Sequence, residues 1–367
     1  MRIEPFQAVY PNFDLIASTD AFFDSVKYDY PDFKKDGFFN KTETAALYVF
    51  EIESPNRHHR GIIASVNIED YIDGKIVKHE KTLPSKEQSM TNLLLHRKAM
   101  IKPVLLTYPR MEELDKIMDE YTSGPPLYSI HFAERNEEHR TWKIRETERI
   151  EKLKEVFSKM KNVYIADGHH RCSTSSKLYQ TQNNRDLDLD FSLLLSAFLS
   201  FDDLIIHEYN RVINYKKKIS ALNLLAELSK YCLIKRMKGP FQPDRKHELS
   251  MFLDKEWFRL RWKKKVLSKY EDEPVVLDTT ILTDIVIKKI LKIKKVRSNK
   301  RINYVEGTLG PQGFVTACKK KKKNVGFGLF PVNMHEIKKM SDLGKTLPPK
   351  STWFEPRMKN GLISQEF

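Results

Sequence analysis

A short apolar run, a turn and a polar helical segment follow one another in NVYIADGHHRCSTSSKLYQ, residues 162–180. Asn162–Ala166 is rich in β-formers and predicts a short buried strand. Asp167 and Gly168 then make a turn, because glycine allows the backbone to reverse sharply. Upstream, Thr147–Met160 carries apolar residues at helical spacing. A helix, a strand, a tight turn and a second helix in this order predict an α/β fold.

The polar residues of this turn favour the binding of a phosphate group. A helix that begins near His170 or Arg171 directs its first backbone N–H groups and its dipole at an anion. Arg171 can hold a phosphate through two parallel hydrogen bonds, and Asp167 can hold Mg²⁺ or position a reacting group. A zinc site built from the two histidines and Cys172 is an alternative with poor ligand spacing. The candidate residues in this segment are Asp167, Gly168, His169, His170, Arg171, Ser173 and Thr174.

Two other segments carry polar side chains that suit the same chemistry. In NIEDYIDGKIVKHEKTLPSKE, residues 67–87, His79 and Glu80 are adjacent and Thr82 follows. A carboxylate near a phosphate can orient a hydroxyl nucleophile and accept its proton. In the proline-stiffened segment PPKSTWFEPR, residues 348–357, the candidates for anion binding are Lys350, Ser351, Thr352 and Arg357. The alternative for this segment is a C-terminal clamp that closes the core.

Elsewhere the sequence alternates between strand patterns and helix patterns. Ala45–Glu51 and Gly61–Val66 are rich in β-formers and predict paired strands. Apolar spacing in Ile219–Tyr231 and in Thr280–Ile293 predicts helices. The run Lys319–Lys323 lies between VTAC and VGFGLF, two segments with strand-like composition, and therefore predicts a hairpin turn.

The composition describes a basic globular chain of 367 residues with a net charge of +15. This length is enough for two modest domains. No apolar run reaches the roughly 18–20 residues of a membrane helix, and the N-terminal residues contain no apolar stretch of a signal peptide. Three cysteines lie far apart and show no metal spacing, which fits a reducing compartment. We therefore expect a cytoplasmic protein with no membrane partner.

The positive charge admits nucleic acid as a partner, but the pattern of lysines weighs against it. Aromatic residues are not interleaved with the lysine runs, as a surface that binds single strands requires, and no helix-turn-helix is recognisable. The chain also lacks the phosphate loop of P-loop enzymes, the dinucleotide motif GxGxxG and the HRD and DFG motifs of protein kinases. A kinase with this sequence belongs to none of the common kinase folds.

Five motifs lie along nearly the whole chain. They are, in order, PFxxxxPN from Pro5, IEDYxDGxIxxHExT from Ile68, YIADGHHR from Tyr164, EYNRV from Glu208 and PPKSTWFEPRxxxGL from Pro348. This set resembles the family catalogued as domain of unknown function 1015, and the DGHHR loop also resembles that of the wider ParB/sulfiredoxin-like superfamily. The resemblance implies a mixed-sheet α/β catalytic core over residues 1–200 and a second α/β lobe over 201–367. We expect the last segment, about 345–367, to return to the site.

The superfamily includes free-serine kinases, whose loop reads DGHTR and which carry an HE pair before it. These kinases phosphorylate L-serine, with nucleotides as donors in some members and inorganic pyrophosphate in others. By this resemblance Glu80 matches the carboxylate proposed to activate the serine hydroxyl. Asp167, His169, His170 and Arg171 match the loop that handles phosphate and metal, although the kinases have threonine in place of His170. A sulfiredoxin-type reductase needs a reactive cysteine just before the His-Arg pair, where this chain has none.

The resemblance implies a Mg²⁺-dependent kinase that converts L-serine to O-phosphoserine. The expected catalytic residues are Glu80, Asp167 and His170, with Asp167 also the expected metal ligand. We expect pyrophosphate as the donor, because the chain shows no signature of an adenine or ribose site and offers converging cations instead. The alternatives are a kinase of serine or another small molecule that uses ATP or ADP, and a nucleotide-switched nucleic-acid-binding protein. We expect a monomer or a homodimer.

Overall fold

The chain folds into two compact units. The computed structural model describes residues 1–181, 188–215 and 219–367. The first unit contains Met1–Ile205 together with Pro356–Phe367, and the second contains Ile206–Glu355. The second unit is therefore an insertion in the first, because the chain leaves the first unit and comes back to it. In the described part of the chain, no helix combines the length and the apolar character needed to cross a membrane.

A mixed β-sheet forms the centre of the first unit. From edge to edge its strands are Ile76–Val77, Val163–Asp167, Val104–Tyr108, Leu193–Ser200, Arg57–Asn67, Leu47–Ser54, Glu137–Ile144 and Tyr128–Phe132. The first two strands of this order are parallel, as are the third and fourth, and the other neighbours are antiparallel. Leu47–Ser54 and Arg57–Asn67 form a hairpin, which confirms the predicted strand pair. Val163–Asp167 lies inside the sheet: both neighbouring strands flank its amino half, and its carboxyl end pairs with Val104–Tyr108 alone.

Helices and three short strand pairings complete the first unit. The α-helices in its described residues are Thr19–Lys35, Glu69–Ile72, Pro84–Arg97, Glu112–Thr122, Thr147–Ser158 and His169–Thr181, and Phe13–Leu15 is a 3₁₀ turn. The extra strands are Ile3–Glu4 beside Arg57–Asn67, Val9–Pro11 with Phe39–Lys41, and Ala99–Met100 with Gln365–Glu366. Thr147–Ser158 buries Ile150, Leu153, Val156 and Phe157, so the predicted helix is confirmed. The helix Thr147–Ser158, the strand Val163–Asp167 and the helix His169–Thr181 follow one another as the sequence predicts.

An antiparallel sheet forms the centre of the second unit. Its strands, in spatial order, are Cys232–Met237, Glu256–Trp262, Glu248–Leu253, Asn324–Gly328, Tyr209–Asn214 and Ile302–Glu306. A separate pair consists of Ile205–His207 and Trp353–Glu355. The helices are Ala221–Ser229, Lys264–Leu267, Asp278–Ile281, the π-helix Leu282–Ile290, Gly310–Lys319 and Met334–Asp342. Short 3₁₀ turns lie at Ser268–Tyr270, Val296–Ser298 and Gly307–Leu309.

The second sheet has apolar side chains on both faces. Successive side chains of a strand point to opposite sides of a sheet, so adjacent apolar residues enter different cores. Ile213 packs into one core with the π-helix, whereas the adjacent Val212 packs into another with Phe314.

The predicted hairpin at Lys319–Lys323 is wrong, since VTAC belongs to the helix Gly310–Lys319. A proline in the first turn starts this helix, and its buried residues follow helical spacing, so the β-formers are overruled.

The last residues of the chain, Pro356–Phe367, are packed into the first unit. Ser364 exchanges two backbone hydrogen bonds with Val9, and the side chain of Gln365 accepts one from Ser65 at 2.6 Å. Gly361 has a φ of +77°, and a Cβ added there would lie 2.8 Å from a methyl group of Val26. Glycine is therefore needed at this position for its backbone conformation and for the close approach.

We predict that Gly361→Ala lowers the free energy of unfolding by about 2–4 kcal/mol, since it combines a left-handed backbone with overpacking. Gly37→Ala is the matched control, because Gly37 has a φ of +83° with no atom within 4 Å of the added Cβ. The control should lose only about 1–2 kcal/mol. Urea unfolding of both variants measures the difference, and equal losses would contradict the contact with Val26.

Candidate active site

The turn after Val163–Asp167 is shaped by an irregularity in the sheet. The register between this strand and Val104–Tyr108 shifts between Ile165 and Asp167, and such bulges redirect a side chain at the end of a strand. Gly168 has a φ of +112°, and the helix begins at His169, one residue before the earliest predicted start. The first N–H groups of this helix have no helical acceptor and face the turn.

Arg171 fastens this turn to a second segment of the chain. Its Nη1 donates to the backbone carbonyls of Lys102 at 2.9 Å and Pro103 at 2.7 Å. Its Nη2 donates to Oδ2 of Asp167 at 2.6 Å. The residue is only 7% exposed, so its guanidinium is committed to protein acceptors. A Cβ on Gly168 would lie 2.9 Å from Nη2, so only glycine leaves room for this arrangement.

This geometry corrects the expected role of Arg171. The sequence suggested a guanidinium that grips a phosphate with two parallel bonds. In the structure its terminal nitrogens instead join the turn to the backbone at Lys102 and Pro103. We therefore assign Arg171 to positioning the site.

Three cations surround the carboxylate of Asp167. Besides Arg171, Nη1 of Arg357 donates to Oδ1 at 2.9 Å, and Nζ of Lys102 lies 3.8 Å from Oδ2. Burial alone would raise the pKa of Asp167, but the positive charges of Arg171, Lys102 and Arg357 outweigh it and hold this pKa well below its usual range. The side chains of Lys102 and Arg357 remain 24% and 29% exposed. An anion can therefore reach two cations that share one carboxylate.

Lys102 is a site residue that the sequence analysis missed. Burial and the neighbouring guanidinium of Arg171 lower the pKa of Lys102 to about 8, although Asp167 acts in the opposite direction. The only local signal is a Lys-Pro pair after the short strand Ala99–Met100. Nothing in that pair indicates that its two carbonyls accept hydrogen bonds from an arginine far along the chain.

Three histidines line the other side of the turn. The rings of His79 and His169 meet edge to face with centroids 4.4 Å apart. Nε2 of His169 accepts from the backbone N–H of His79 at 3.4 Å, and Nε2 of His170 accepts from the backbone N–H of Leu83 at 3.1 Å. Burial lowers the pKa of His79 to about 4 and that of His169 well below 6.5. All three act as neutral imidazoles at neutral pH, since burial also lowers the pKa of His170.

Glu80 is half-buried in the loop between His79 and Leu83. Its negative charge acts on the ring of His170, whose pKa it raises against the larger effect of burial. The predicted base and the predicted catalytic histidine are therefore neighbours. The predicted hydroxyl donors lie around a different carboxylate, that of Glu87.

Glu87 accepts hydrogen bonds from three predicted phosphate ligands, Thr82, Ser173 and Thr174. Its carboxylate accepts from Ser173 at 2.5 Å and from Lys177 at 2.7 Å, and a further bond comes from Thr82. Hydrogen bonds from Lys177, Ser173 and Thr82 lower the pKa of Glu87 to about 2. Thr174 is fully buried, and its hydroxyl donates to the carbonyl of Glu87 at 3.5 Å. These residues join two helices, so we correct their assignment from phosphate binding to helix packing.

The remaining candidates belong to the second unit. Nζ of Lys350 donates to the hydroxyl of Tyr209 at 3.1 Å and lies 4.7 Å from the centre of its ring. The hydroxyl of Ser351 is buried and donates to the carbonyl of Pro348 at 2.7 Å. Thr352 is half-buried between Ser351 and the strand Trp353–Glu355. Ser351 thus stabilises the turn of its own segment.

The described side chains do not form a site for protein-held Mg²⁺ around Asp167. Both of its carboxylate oxygens already accept hydrogen bonds from guanidinium groups. Within residues 1–181, 188–215 and 219–367, no group of three or more histidine, cysteine, aspartate or glutamate side chains is placed to hold a metal ion. Cys172, the cysteine of the zinc alternative, is a fully buried residue of the helix His169–Thr181.

We predict that Arg171→Lys loses nearly as much stability as Arg171→Ala, about 2–4 kcal/mol. Lysine keeps the charge but cannot reach two carbonyls and a carboxylate at once, so buried acceptors lose their donors. Urea unfolding measures the loss. The control is Arg110→Lys, which alters an arginine whose side chain is 61% exposed and paired with Asp115. A lysine variant as stable as the wild type would show that the three bonds are dispensable.

We also predict that acid destabilises the first unit in the window from pH 6.5 down to about 4. An unfolded histidine binds a proton below its usual pKa of 6.5, whereas folded His79 stays neutral until about pH 4. The unfolded chain therefore binds more protons in this window, and stability falls as the pH falls. His79 alone contributes on the order of 3 kcal/mol, at about 1.4 kcal/mol per pKa unit.

Unfolding midpoints at pH 7.5, 6.5, 5.5 and 4.5 test this expectation. The slope should be shallower in His79→Gln than in His96→Gln, which replaces an exposed histidine of the same unit. Equal slopes in the two variants would rule out His79 as a source of acid sensitivity.

No curated protein matches the chain. Among solved structures, a mutant of free serine kinase in complex with ADP is 11% identical, with a TM-score of 0.39 over 84% of this chain and 95% of that one. SbnI from Staphylococcus aureus, with a C-terminal truncation, is 12% identical, with a TM-score of 0.43 over 81% of this chain and 85% of that one. A conserved hypothetical protein from Pyrococcus furiosus is 12% identical, with a TM-score of 0.38 over 82% and 95%.

A family match agrees with the motifs that run along the chain. The family described as Protein of unknown function (DUF1015) matches residues 9–280. These residues include the strand, turn and helix of the candidate site and the segment that carries His79 and Glu80. Since the match covers most of the chain, this protein belongs to the DUF1015 family.

Proposed function

We propose that this protein is a phosphotransferase that transfers a phosphoryl group to the hydroxyl of free L-serine, with inorganic pyrophosphate as the favoured donor. The observation that carries the proposal is the group of Lys102, Arg171 and Arg357 around Asp167 at the start of a helix. L-Serine is proposed as the acceptor because the DGHHR loop and the HE pair resemble those of free-serine kinases.

The cations of the site suit a phosphate group. Three positive side chains face one carboxylate, so the site keeps an excess of positive charge. Lys102 and Arg357 are partly exposed, whereas Arg171 is held by backbone carbonyls. Phosphoryl transfer depends mainly on positioning and charge stabilisation. In this arrangement Lys102, Arg357 and the first amides of the helix bind the phosphate, and Arg171 holds them in place.

The acceptor side of the site contains groups without positive charge. Glu80 lies beside His170, and His79 and His169 are neutral. In the proposed step the serine oxygen attacks phosphorus, the bridging P–O bond of pyrophosphate breaks, and orthophosphate leaves. Glu80 orients the serine hydroxyl and takes its proton. Removal of divalent cations tests the predicted requirement for Mg²⁺.

A product assay tests the proposed function. Purified protein is supplied with L-serine, Mg²⁺ and either pyrophosphate, ATP or ADP, and O-phosphoserine is detected by mass spectrometry. We expect product with pyrophosphate and a loss of product when EDTA is added. If no donor yields a phosphorylated product from serine or from a panel of other hydroxyl compounds, the proposed function is wrong. If a nucleotide exceeds pyrophosphate tenfold or more in kcat/KM, only the donor assignment is wrong.

We predict that Glu80→Gln lowers kcat by about 10²- to 10⁴-fold, the usual contribution of a general base. The unfolding midpoint should not change, because glutamine keeps the size of the side chain. Glu134→Gln is the matched control, since Glu134 is exposed in a turn of the same unit. The base assignment fails if Glu80→Gln keeps more than about half of the wild-type kcat.

A further inference from the structure

A cavity of about 460 Å³ lies within the second unit, among residues that the proposed phosphotransfer does not use. Its walls come from the π-helix Leu282–Ile290, from residues 294–297 after it, and from the strands Tyr209–Asn214 and Ile302–Glu306. The lining residues are Arg211, Thr280, Thr283, Asp284, Ile287, Lys288, Lys294, Lys295, Val296, Arg297, Tyr304, Pro348 and Pro349. This volume falls within the usual range of small-molecule sites, about 300–1,000 Å³. We propose that the cavity binds a small organic phosphate.

The charge of the lining favours an anion. Five lining residues are cationic and a single one is acidic. That carboxylate, Asp284, already accepts a hydrogen bond from Nζ of Lys288 at 2.8 Å. Lys294, Lys295 and Arg297 are exposed, and in the described part of the chain no acidic side chain pairs with them. Like charges placed so close repel one another, and a bound phosphate relieves that repulsion.

The buried guanidinium of Arg211 adds to the positive charge of the cavity. Arg211 is 2% exposed and donates to the backbone carbonyls of Lys350 at 2.9 Å and Pro349 at 3.3 Å. Its guanidinium lies 5.4 Å from the centre of the Tyr304 ring. Burial lowers the pKa of Arg211 to about 10, so the group stays charged at neutral pH. Arg211 thus fixes one wall of the cavity and adds a charge that cannot move away.

The apolar part of the lining argues for an organic ligand. Ile287, Val296, Tyr304 and the two prolines present hydrocarbon and an aromatic ring beside the cations. A bare inorganic anion makes no use of such a surface, whereas a phosphate attached to a flat or apolar body contacts both parts. The structure therefore assigns the phosphate to the Lys294–Arg297 edge and the organic body to this apolar wall.

A π-helix supplies one wall of the cavity. Within Leu282–Ile290, the residues Thr283, Ile287 and Lys288 face the cavity together. The N–H of Leu291 donates to the carbonyl of Val286, five residues earlier, as in a π turn. In this wider turn, residues four and five positions after Thr283 lie on the same side of the helix as Thr283. π-Helices are rare and recur at functional sites. This wall is an observation independent of the charges, and it also points to a binding role.

Hydrogen exchange and calorimetry on the full chain test the proposal, with ADP, pyrophosphate and adenosine as probes. ADP should slow amide exchange in residues 282–297, and adenosine should not. Pyrophosphate should protect this segment at least about tenfold more weakly than ADP, since it lacks an organic body. Equal protection by pyrophosphate and ADP, or none by ADP, would overturn the assignment. The readout requires no turnover, so it is independent of the proposed phosphotransfer.

A variant pair separates the cavity from general charge. The triple variant Lys294→Ala, Lys295→Ala and Arg297→Ala should weaken ADP binding at this segment at least about tenfold, because the phosphate loses its partners. The control removes three lysines from the same unit, through Lys320→Ala, Lys321→Ala and Lys322→Ala. It should leave the affinity within about twofold. Equal losses in both variants, or none in the first, would overturn the site.

Discussion

The guanidinium of Arg171 determines the geometry of the candidate active site. It donates to the carbonyls of Lys102 and Pro103 and to the carboxylate of Asp167, and it is almost inaccessible to water. A buried charge that loses a partner typically costs about 3–5 kcal/mol, so the two segments that it joins are fixed relative to each other. The position of the Lys102 ammonium beside Asp167 follows from this, because the same residue supplies one of the carbonyls. Gly168 leaves the space that the guanidinium occupies.

The site therefore has two sides of different electrical character. Lys102 and Arg357 add positive charge on one side, and burial keeps His79 and His169 neutral on the other. A phosphate gains from the first side. In the proposed reaction the serine hydroxyl gives its proton to Glu80, and no charged imidazole competes for that carboxylate. This division suits a reaction in which an anionic group passes to a neutral acceptor. The cavity of the second unit lacks such a division, since its charges are nearly all positive.

Sequence reasoning succeeded where the determining interactions are local. The turn at Asp167 and Gly168 was predictable because β-formers, a glycine and a helix start follow one another within a few residues. Lys102 was not predictable, since its place depends on an arginine far along the chain. Ser173 was misassigned for the same reason, because its partner is Glu87 on another helix. In Gly310–Lys319 a local conflict arose, and the helical spacing of buried side chains overruled the β-formers.

The insertion of the second unit into the first has a consequence for how the protein is made. During synthesis the ribosome releases residues 206–355 before residues 356–367, although the latter carry the strand Gln365–Glu366 that pairs with Ala99–Met100. The inserted unit has its own apolar core and can fold while the chain is still growing. The surrounding unit must wait with an unpaired strand edge until its last piece emerges. An unpaired strand edge can pair with other chains, so the nascent protein is prone to aggregate until that edge is covered.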